Sequence, residues 1–261
     1  MGMKLVESLR KGLEVMEAFN SQRPRLRLQE VASLTGQPKA TAYRLLRTLV
    51  DLGYLRYDAQ SFQFYLAPRV MSLGFTVLSS LDLRETAQPY LEDLSAKIDQ
   101  NVNLGILDRS EVVYVDRVKK RRILNIDLFV GSRLPAHASS IGRAILAFLD
   151  EDELNAFFKL FCAELESGAC SVPGAEKLRQ ELAEVRRQGY AVNDQESFTG
   201  LRAAAAPVFN AQGKVEGAVN VAVFSQLTSR EELMQNYLPW LLHTVENISK
   251  ARGFRGPLDK A

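Results

Sequence analysis

The chain has 261 residues, of which 46% are hydrophobic and 25% charged; that is room for one large domain or two small ones, at roughly 100–200 residues each, and it excludes a disordered chain. Net charge is only +2, yet residues 1–70 hold eleven Lys and Arg against six Asp and Glu while the remainder is mildly acidic, which points the N-terminal quarter at an anionic partner. Two cysteines (Cys162, Cys170) and two histidines (His137, His243) exclude a disulfide framework and a four-cysteine metal site, no cofactor is expected, and no apolar run nears the ~20 residues of a membrane span.

Val6, Leu9, Leu13 and Met16 recur at near-helical spacing and predict a first helix, broken by Asn20-Ser21-Gln22-Arg23-Pro24. A short second helix, Leu28 to Leu34, turns Leu28, Val31 and Ala32 inward and ends at Thr35-Gly36-Gln37-Pro38. A third runs from Lys39 to Leu52, with Ala42, Leu45, Leu46, Leu49 and Val50 on its apolar side. Its other side carries Ala40, Thr41, Tyr43, Arg44, Arg47 and Thr48. Helix, tight glycine turn and helix make a helix-turn-helix. Tyr54 to Tyr57 and Phe62 to Leu66, joined by Asp58-Ala59-Gln60-Ser61, predict a hairpin directly behind it, the wing of a winged helix.

Such a unit fits duplex DNA. The third helix can enter the major groove, where short polar and guanidinium groups meet base edges. Ala40, Thr41, Tyr43, Arg44 and Arg47 are the candidate reading face. Gln37 and Lys39 stand at that helix's N-terminus, where amides and a cation can meet a phosphate. Arg23, Arg25 and Arg27 before the second helix, and Arg56 and Gln60 on the wing, are candidate backbone contacts. The alternative is a protein-interaction module on which Arg44 and Arg47 are a solvated face.

Pro68-Arg69 opens a further helix with Val70, Leu73, Val77 and Leu78 on one face. Read as a linker, it must bury that stripe against the second domain or against another copy of itself. Leu83, Ala87, Tyr90, Leu91, Leu94 and Ile98 then predict an amphipathic helix. Strands are predicted at Val102–Leu107, Glu111–Val118 and Ile123–Asp127, with Lys119-Lys120-Arg121-Arg122 read as a solvated loop. Gly131 to Ser140 reads as a loop running into a helix, Ile141–Leu149. Helices near Glu153–Phe161 and Ala175–Gln188 follow, then strands Tyr190–Asn193, Leu201–Phe209 and Val215–Phe224, and a terminal helix, Arg230–Ala251. This order argues for an α+β class with a mainly antiparallel sheet flanked by helices. The expected division is a winged helix-turn-helix over 1–68, a linker helix over 69–82, a second domain over 83–255 and a tail over 256–261.

Three stretches, in order, resemble IclR-family transcriptional regulators over nearly the whole chain. They are Thr35-Gly36-Gln37-Pro38-Lys39-Ala40-Thr41-Ala42-Tyr43-Arg44-Leu45-Leu46-Arg47, Gly131-Ser132-Arg133-Leu134-Pro135-Ala136-His137-Ala138-Ser139-Ser140-Ile141-Gly142-Arg143, and Gly189-Tyr190-Ala191-Val192-Asn193-Asp194 with Gly200-Leu201-Arg202-Ala203. The resemblance implies a winged helix-turn-helix, a linker helix and a GAF-like effector domain that binds a small organic molecule, mostly small carboxylates and aromatic acids. It implies homodimers, often dimers of dimers, on double-stranded operator sites; the lack of an apolar signal-peptide core and of a membrane-length run makes the cytoplasm, with no membrane partner, the expected location. It places the effector between the sheet and the segment from Ala136 to Arg143, hence at Ala138, Ser139, Ser140, Ile141, Asn193, Asp194, Ala203, Asn220 and Ala222. Members that answer to glyoxylate or pyruvate have cysteine where this chain has Ala203, serine where it has Asn220 and Ala222, and aspartate where it has Asn193. Those exchanges leave space and an amide in place of small polar groups. Ala218-Val219-Asn220-Val221 is similar to regulators of the beta-ketoadipate route, which makes an aromatic or larger carboxylate the expected effector.

Independently of any family, amides at Ser139-Ser140-Ile141 opening a helix suit a carboxylate, while the serines can equally cap that helix. His137 is a candidate ligand contact or a structural histidine. Asp194 and Glu196 lack any nucleophile or phosphate loop beside them, which argues against an enzyme. A ligand-free winged-helix scaffold and a DNA-binding enzyme acting on a small acid are the other readings.

Overall fold

The computed structural model describes residues 5–120, 128–166 and 174–256. The chain divides into two compact units, one ending at Ser80 and one starting at Leu81.

In the first unit α1 (Glu7–Glu17), α2 (Leu28–Leu34) and α3 (Lys39–Asp51) enclose Val15, Phe19, Leu26, Val31, Leu46, Leu55 and Phe64. The apolar side of α3 is the covered one: Ala42 and Leu46 are fully buried while Tyr43, Arg44 and Arg47 face solvent. Gly36, at φ +63°, makes the tight turn between α2 and α3, a left-handed conformation that is cheap without a Cβ. Strands β1 (Arg25–Leu26), β2 (Leu55–Asp58) and β3 (Gln63–Leu66) form an antiparallel sheet in the order β1-β3-β2. β2 and β3 are the expected wing; β1 is two residues long and carries no periodicity by which sequence could reveal it. α4 (Arg69–Ser79) buries none of its residues. Helical spacing puts Met71 and Phe75 on one side of it and Leu73 and Val77 on the other, and all four are more than half exposed.

The second unit begins with α5 (Asp82–Ile98), β4 (Asn101–Asp108), β5 (Glu111–Val118) and β6 (Arg133–Pro135). It continues through α6 (Ser140–Leu146), α7 (Glu151–Glu166), α8 (Ala175–Gln188), β7 (Ala191–Asp194), β8 (Leu201–Phe209) and β9 (Val215–Phe224). It closes with α9 (Arg230–Glu232) and α10 (Leu238–Ala251). The six strands form one antiparallel sheet in the order β6-β5-β4-β9-β8-β7. The middle strands are covered on both faces, which is why Ala203 to Phe209 is an unbroken buried run rather than an alternating one. Ile141 of α6 packs on Gly105, whereas Leu83 of α5 packs on Gly217, a position next to the Ala218 that pairs with Gly105. α5 and α6 therefore cover opposite faces of the sheet. α10 lies against α5 and β8, and α8 and α7 lie behind α6.

Two elements depart from the sequence-based expectation. The stretch expected as a loop before α6 contains β6, whose Leu134 pairs with Val112; three residues are too few to show alternation. The expected terminal helix is interrupted at Leu233–Tyr237 by a π turn. Pro239 opens α10 there, and without an amide hydrogen it cannot continue the α ladder. The strand expected at Ile123–Asp127 lies outside the described residues, as do Arg121, Arg122 and Cys170. Among the described residues, no helix is long and apolar enough to cross a membrane.

Candidate nucleic-acid interface and effector site

Lys39, Ala40, Tyr43, Arg44 and Arg47 form one exposed surface of α3, with Thr41 half-buried beside them. Arg56 on β2 and Gln60 in the turn are exposed on the wing. That turn is fixed: Asp58 accepts from the Gln60 amide at 2.9 Å and from the Ser61 hydroxyl at 2.8 Å. The Ser61 and Gln60 bonds hold the Asp58 carboxyl below its ordinary pKa. Arg25 stands on β1, its guanidinium 4.4 Å from the Tyr65 ring centroid and 3.6 Å from Asp58. Arg27 is exposed, and its amide donates to the Glu30 carboxylate at 2.7 Å, closing the start of α2.

Gln37 corrects the expectation of a surface contact. It is 8% exposed, and its amide nitrogen donates to the Lys11 carbonyl at 3.3 Å and to Glu14 at 3.5 Å. The side chain ties the turn before α3 to α1 instead of presenting itself outward. Arg69, which sequence reasoning passed over, donates to the Leu52 carbonyl at 2.8 Å and stacks on Tyr54, so the end of α3 and the start of α4 are held together.

In the second unit, strand register sorts the expected effector residues. Asn193, Ala203, Ala222 and Asn101 oppose one another across β7, β8, β9 and β4. Two residues along lies a parallel row, Ala191, Ala205, Asn220, Asn103 and Arg117. Directly opposed residues share a face, and the contact of Asn220 with Ser140 at 3.5 Å identifies that face as the one under α6. Asp194 sits one residue out of phase. It turns to the other face and pairs with Arg202 at 2.8 Å, so it does not share a face with Asn193 beside it in sequence.

Asn193 joins them as a tie. Its nitrogen donates to the Ala138 carbonyl at 2.6 Å and to Ser197 at 3.0 Å, and its oxygen accepts from the Glu196 amide. Ser139 caps α6, its hydroxyl accepting from the Gly142 amide at 2.9 Å. The amides of Ser140 and Ile141 lie in the same opening turn, where a helix cannot satisfy its own donors. The Ile141 side chain is fully buried core. His137 packs on Phe161 at 5.0 Å. With Ala138 it lines a cavity of about 220 Å³, shared with Arg143, Lys177, Leu178, Glu181 and Glu196. Arg143 is buried there and paired with Glu196 and Glu181. Ala203, Asn220 and Ala222 have no part in that cavity.

The sheet face holds polar groups that sequence did not single out. Asn103, 2% exposed, donates to the Asn220 oxygen at 2.7 Å. Tyr114, 3% exposed, is hydrogen-bonded with Asn220, and burial pushes its phenol up to about 12. Arg117 opposes Asn103 across the strand pair. Ser140, Asn220, Tyr114, Asn103 and Arg117 thus form a polar row under α6, beside Ala191, Ala205, Ala218 and Gly105 on the same face.

A winged helix with an exposed cationic face, in one chain with an α+β unit whose sheet carries such a row, is the build of a DNA-binding regulator with its own sensor. A family model for the IclR helix-turn-helix domain matches residues 8–59, and one for the bacterial transcriptional regulator IclR C-terminal region matches 75–250. The chain is 36% identical over 243 residues to the Pca regulon regulatory protein of Pseudomonas putida, across 92% of this chain and 82% of that one. It is 32% identical over 248 residues to the p-hydroxybenzoate hydroxylase transcriptional activator of Acinetobacter baylyi, across 93% and 90%. A solved transcriptional regulator from Rhodococcus sp. RHA1, 38% identical, superposes with a TM-score of 0.76 over 95% of this chain and 98% of that one. The chain belongs to the IclR family of transcriptional regulators, as its motifs led one to expect.

Proposed function

We propose that this regulator acts as a homodimer, pairing further into a dimer of dimers. An aromatic or larger carboxylate between α6 and the sheet sets its grip on the promoter of a catabolic operon. The observation that carries the sensor half is the row Ser140, Asn220 and Asn103. These side chains are buried and hydrogen-bonded in series, and ligand sites are mostly apolar with a few placed polar groups. The opening amides of α6 supply donors for the carboxylate. The names of the two relatives, one of a Pca regulon and one of a hydroxybenzoate hydroxylase gene, support an aromatic acid. α4 supports the dimer, because exposed apolar residues on two opposite sides of one helix belong under a partner. An effector coupling of ~1–3 kcal/mol would change operator affinity about 5–150-fold.

Anisotropy titrations on fragments of the protein's own promoter region, at two salt concentrations, test this. Arg44→Ala is expected to cost ~1–3 kcal/mol and to flatten discrimination at one operator position. Arg25→Ala is expected to weaken every sequence alike and to lower the salt slope by about 1. Equal loss on all sequences for Arg44→Ala would remove its base-reading role. A wild-type protein with no salt-sensitive preference for any fragment, with or without aromatic acids, would overturn the proposal as a whole.

A further inference from the structure

Phe62 closes the turn of the wing in a conformation that suits it badly. Its φ is +58°, in the left-handed region that glycine, asparagine and aspartate enter at little cost and bulky residues do not. The other non-glycine residues with such backbone, among the described residues, are Asp99, Arg109 and Gln195, none of them aromatic. The bonds of Asp58 to Gln60 and Ser61 fix the residues just before and so impose the shape. No burial within the protomer offsets the strain: the ring is 66% exposed and stands outside the core that takes in Leu55 and Phe64. Strained residues of this kind cluster where a protein meets its ligand.

The wing itself indicates what covers the ring. Arg25, Tyr65 and Arg56 are directly opposed across β1, β3 and β2, so they share one face of the small sheet. Arg25 stacks on Tyr65, and Arg56 is exposed. Asp58 lies on that face too, with Arg25 at 3.6 Å and its oxygens turned to Gln60 and Ser61. The face is thus a cationic strip suited to a phosphate backbone. Phe62, at the tip of the same hairpin, has no side-chain donor for a phosphate; against a duplex its ring can meet only sugars and bases. With α3 in the major groove, the groove open to the hairpin beside it is the minor one. Apolar side chains that enter there part a base step and kink the duplex by roughly 20–90°.

We infer that Phe62 is a wedge that enters the minor groove, parts one base step and bends the operator. It determines specificity without a hydrogen bond, by favouring operators with a deformable pyrimidine–purine step under the wing. This rests on α3 lying in the major groove, as proposed above, and not on which effector is bound.

The test uses the full-length protein and a promoter fragment that the wild type binds, labelled at both ends so that energy transfer reports the bend and anisotropy the affinity. The wild type is expected to bring the ends together. Phe62→Asn, which adopts left-handed backbone at less cost, is expected to melt no lower than the wild type, to bind about tenfold more weakly and to leave the fragment straighter. Phe62→Leu keeps an apolar wedge and should keep the bend. A wild-type complex with a straight duplex overturns the wedge and leaves α3 as the reading helix. So does a Phe62→Asn complex bent like the wild type, or a Phe62→Leu complex as straight as that of Phe62→Asn. A Phe62→Asn protein that melts lower would show that the ring serves its own fold, and one that light scattering finds in a smaller assembly would show that it covers a second copy; either overturns the wedge. Binding of no fragment by the wild type overturns the wedge together with the reading of α3.

Discussion

Exchanging Leu73 and Phe75 together for aspartate is expected to yield a monomer whose operator affinity is lower by ~10²–10⁴-fold, the usual loss when two linked binding modules become one. The two side chains lie on opposite sides of α4 and are 55% and 59% exposed, so neither supports the fold of its own protomer. Met71 and Val77 extend the apolar surface at 60% and 57%, and Leu9 and Leu13 of α1 are exposed as well. Solvated charge is tolerated on an isolated helix but not in an apolar interface, where it must be desolvated without a partner. Light scattering should give the mass of one chain, and circular dichroism should show an unchanged melt. Anisotropy on an intact operator should report the lost affinity, with the residual binding resembling that of a single half-site. A double variant that remains a dimer and binds like the wild type would mean that α4 has no part in assembly.

What sequence revealed, and what it concealed, divides along the range of the interactions. The winged helix was legible because its signals are local: Ala42, Leu46 and Leu49 repeat at helical spacing, Gly36 marks the turn, and the wing follows at once. Gln37 misleads because a polar residue before a helix has two uses. Only the packing of α1 decides that it reaches back to Lys11 and Glu14. Asp194 misleads by its neighbour. Alternation along β7 places it and Asn193 on opposite faces, but which face meets α6 is fixed by pairing with β8. Asn103 and Arg117 are concealed by distance: Asn103 bonds a residue 117 positions away. No spacing rule links such residues before the sheet order is known. The resemblance reached further than periodicity could, since it grouped Asn220 with Ser140, which the structure brings within 3.5 Å. It left unnamed the β4 and β5 residues that complete the row.

The N-terminus of α6 is held by a contact that one methyl group would break. A Cβ on Gly142 would lie 2.1 Å from the Ala136 carbonyl oxygen and 2.4 Å from the Ala136 Cα. Both are backbone atoms, so no side-chain rotation can relieve the clash. The Gly142 amide also donates to Ser139, and Ala138 is tied by Asn193 and Ser197 to the loop after β7. Gly142→Ala must therefore lift α6 from the segment that leads into it, and with it Ser140 from Asn220. Overpacking of this kind typically costs ~1–3 kcal/mol, more where backbone must move. In a unit of this size each kcal/mol lowers the melting temperature by about 2–4 °C. Trp240, the sole tryptophan, lies on α10 of the same unit and reports its unfolding by fluorescence. The expected result is a melt lowered by several degrees, together with loss of the response of operator binding to 4-hydroxybenzoate or benzoate. Operator binding without acid should persist, because α3 and its core belong to the other unit. A variant that melts within a degree of the wild type and still responds to the acid would show that α6 can shift without consequence. The seat of the effector would then have to lie elsewhere than at its opening turn.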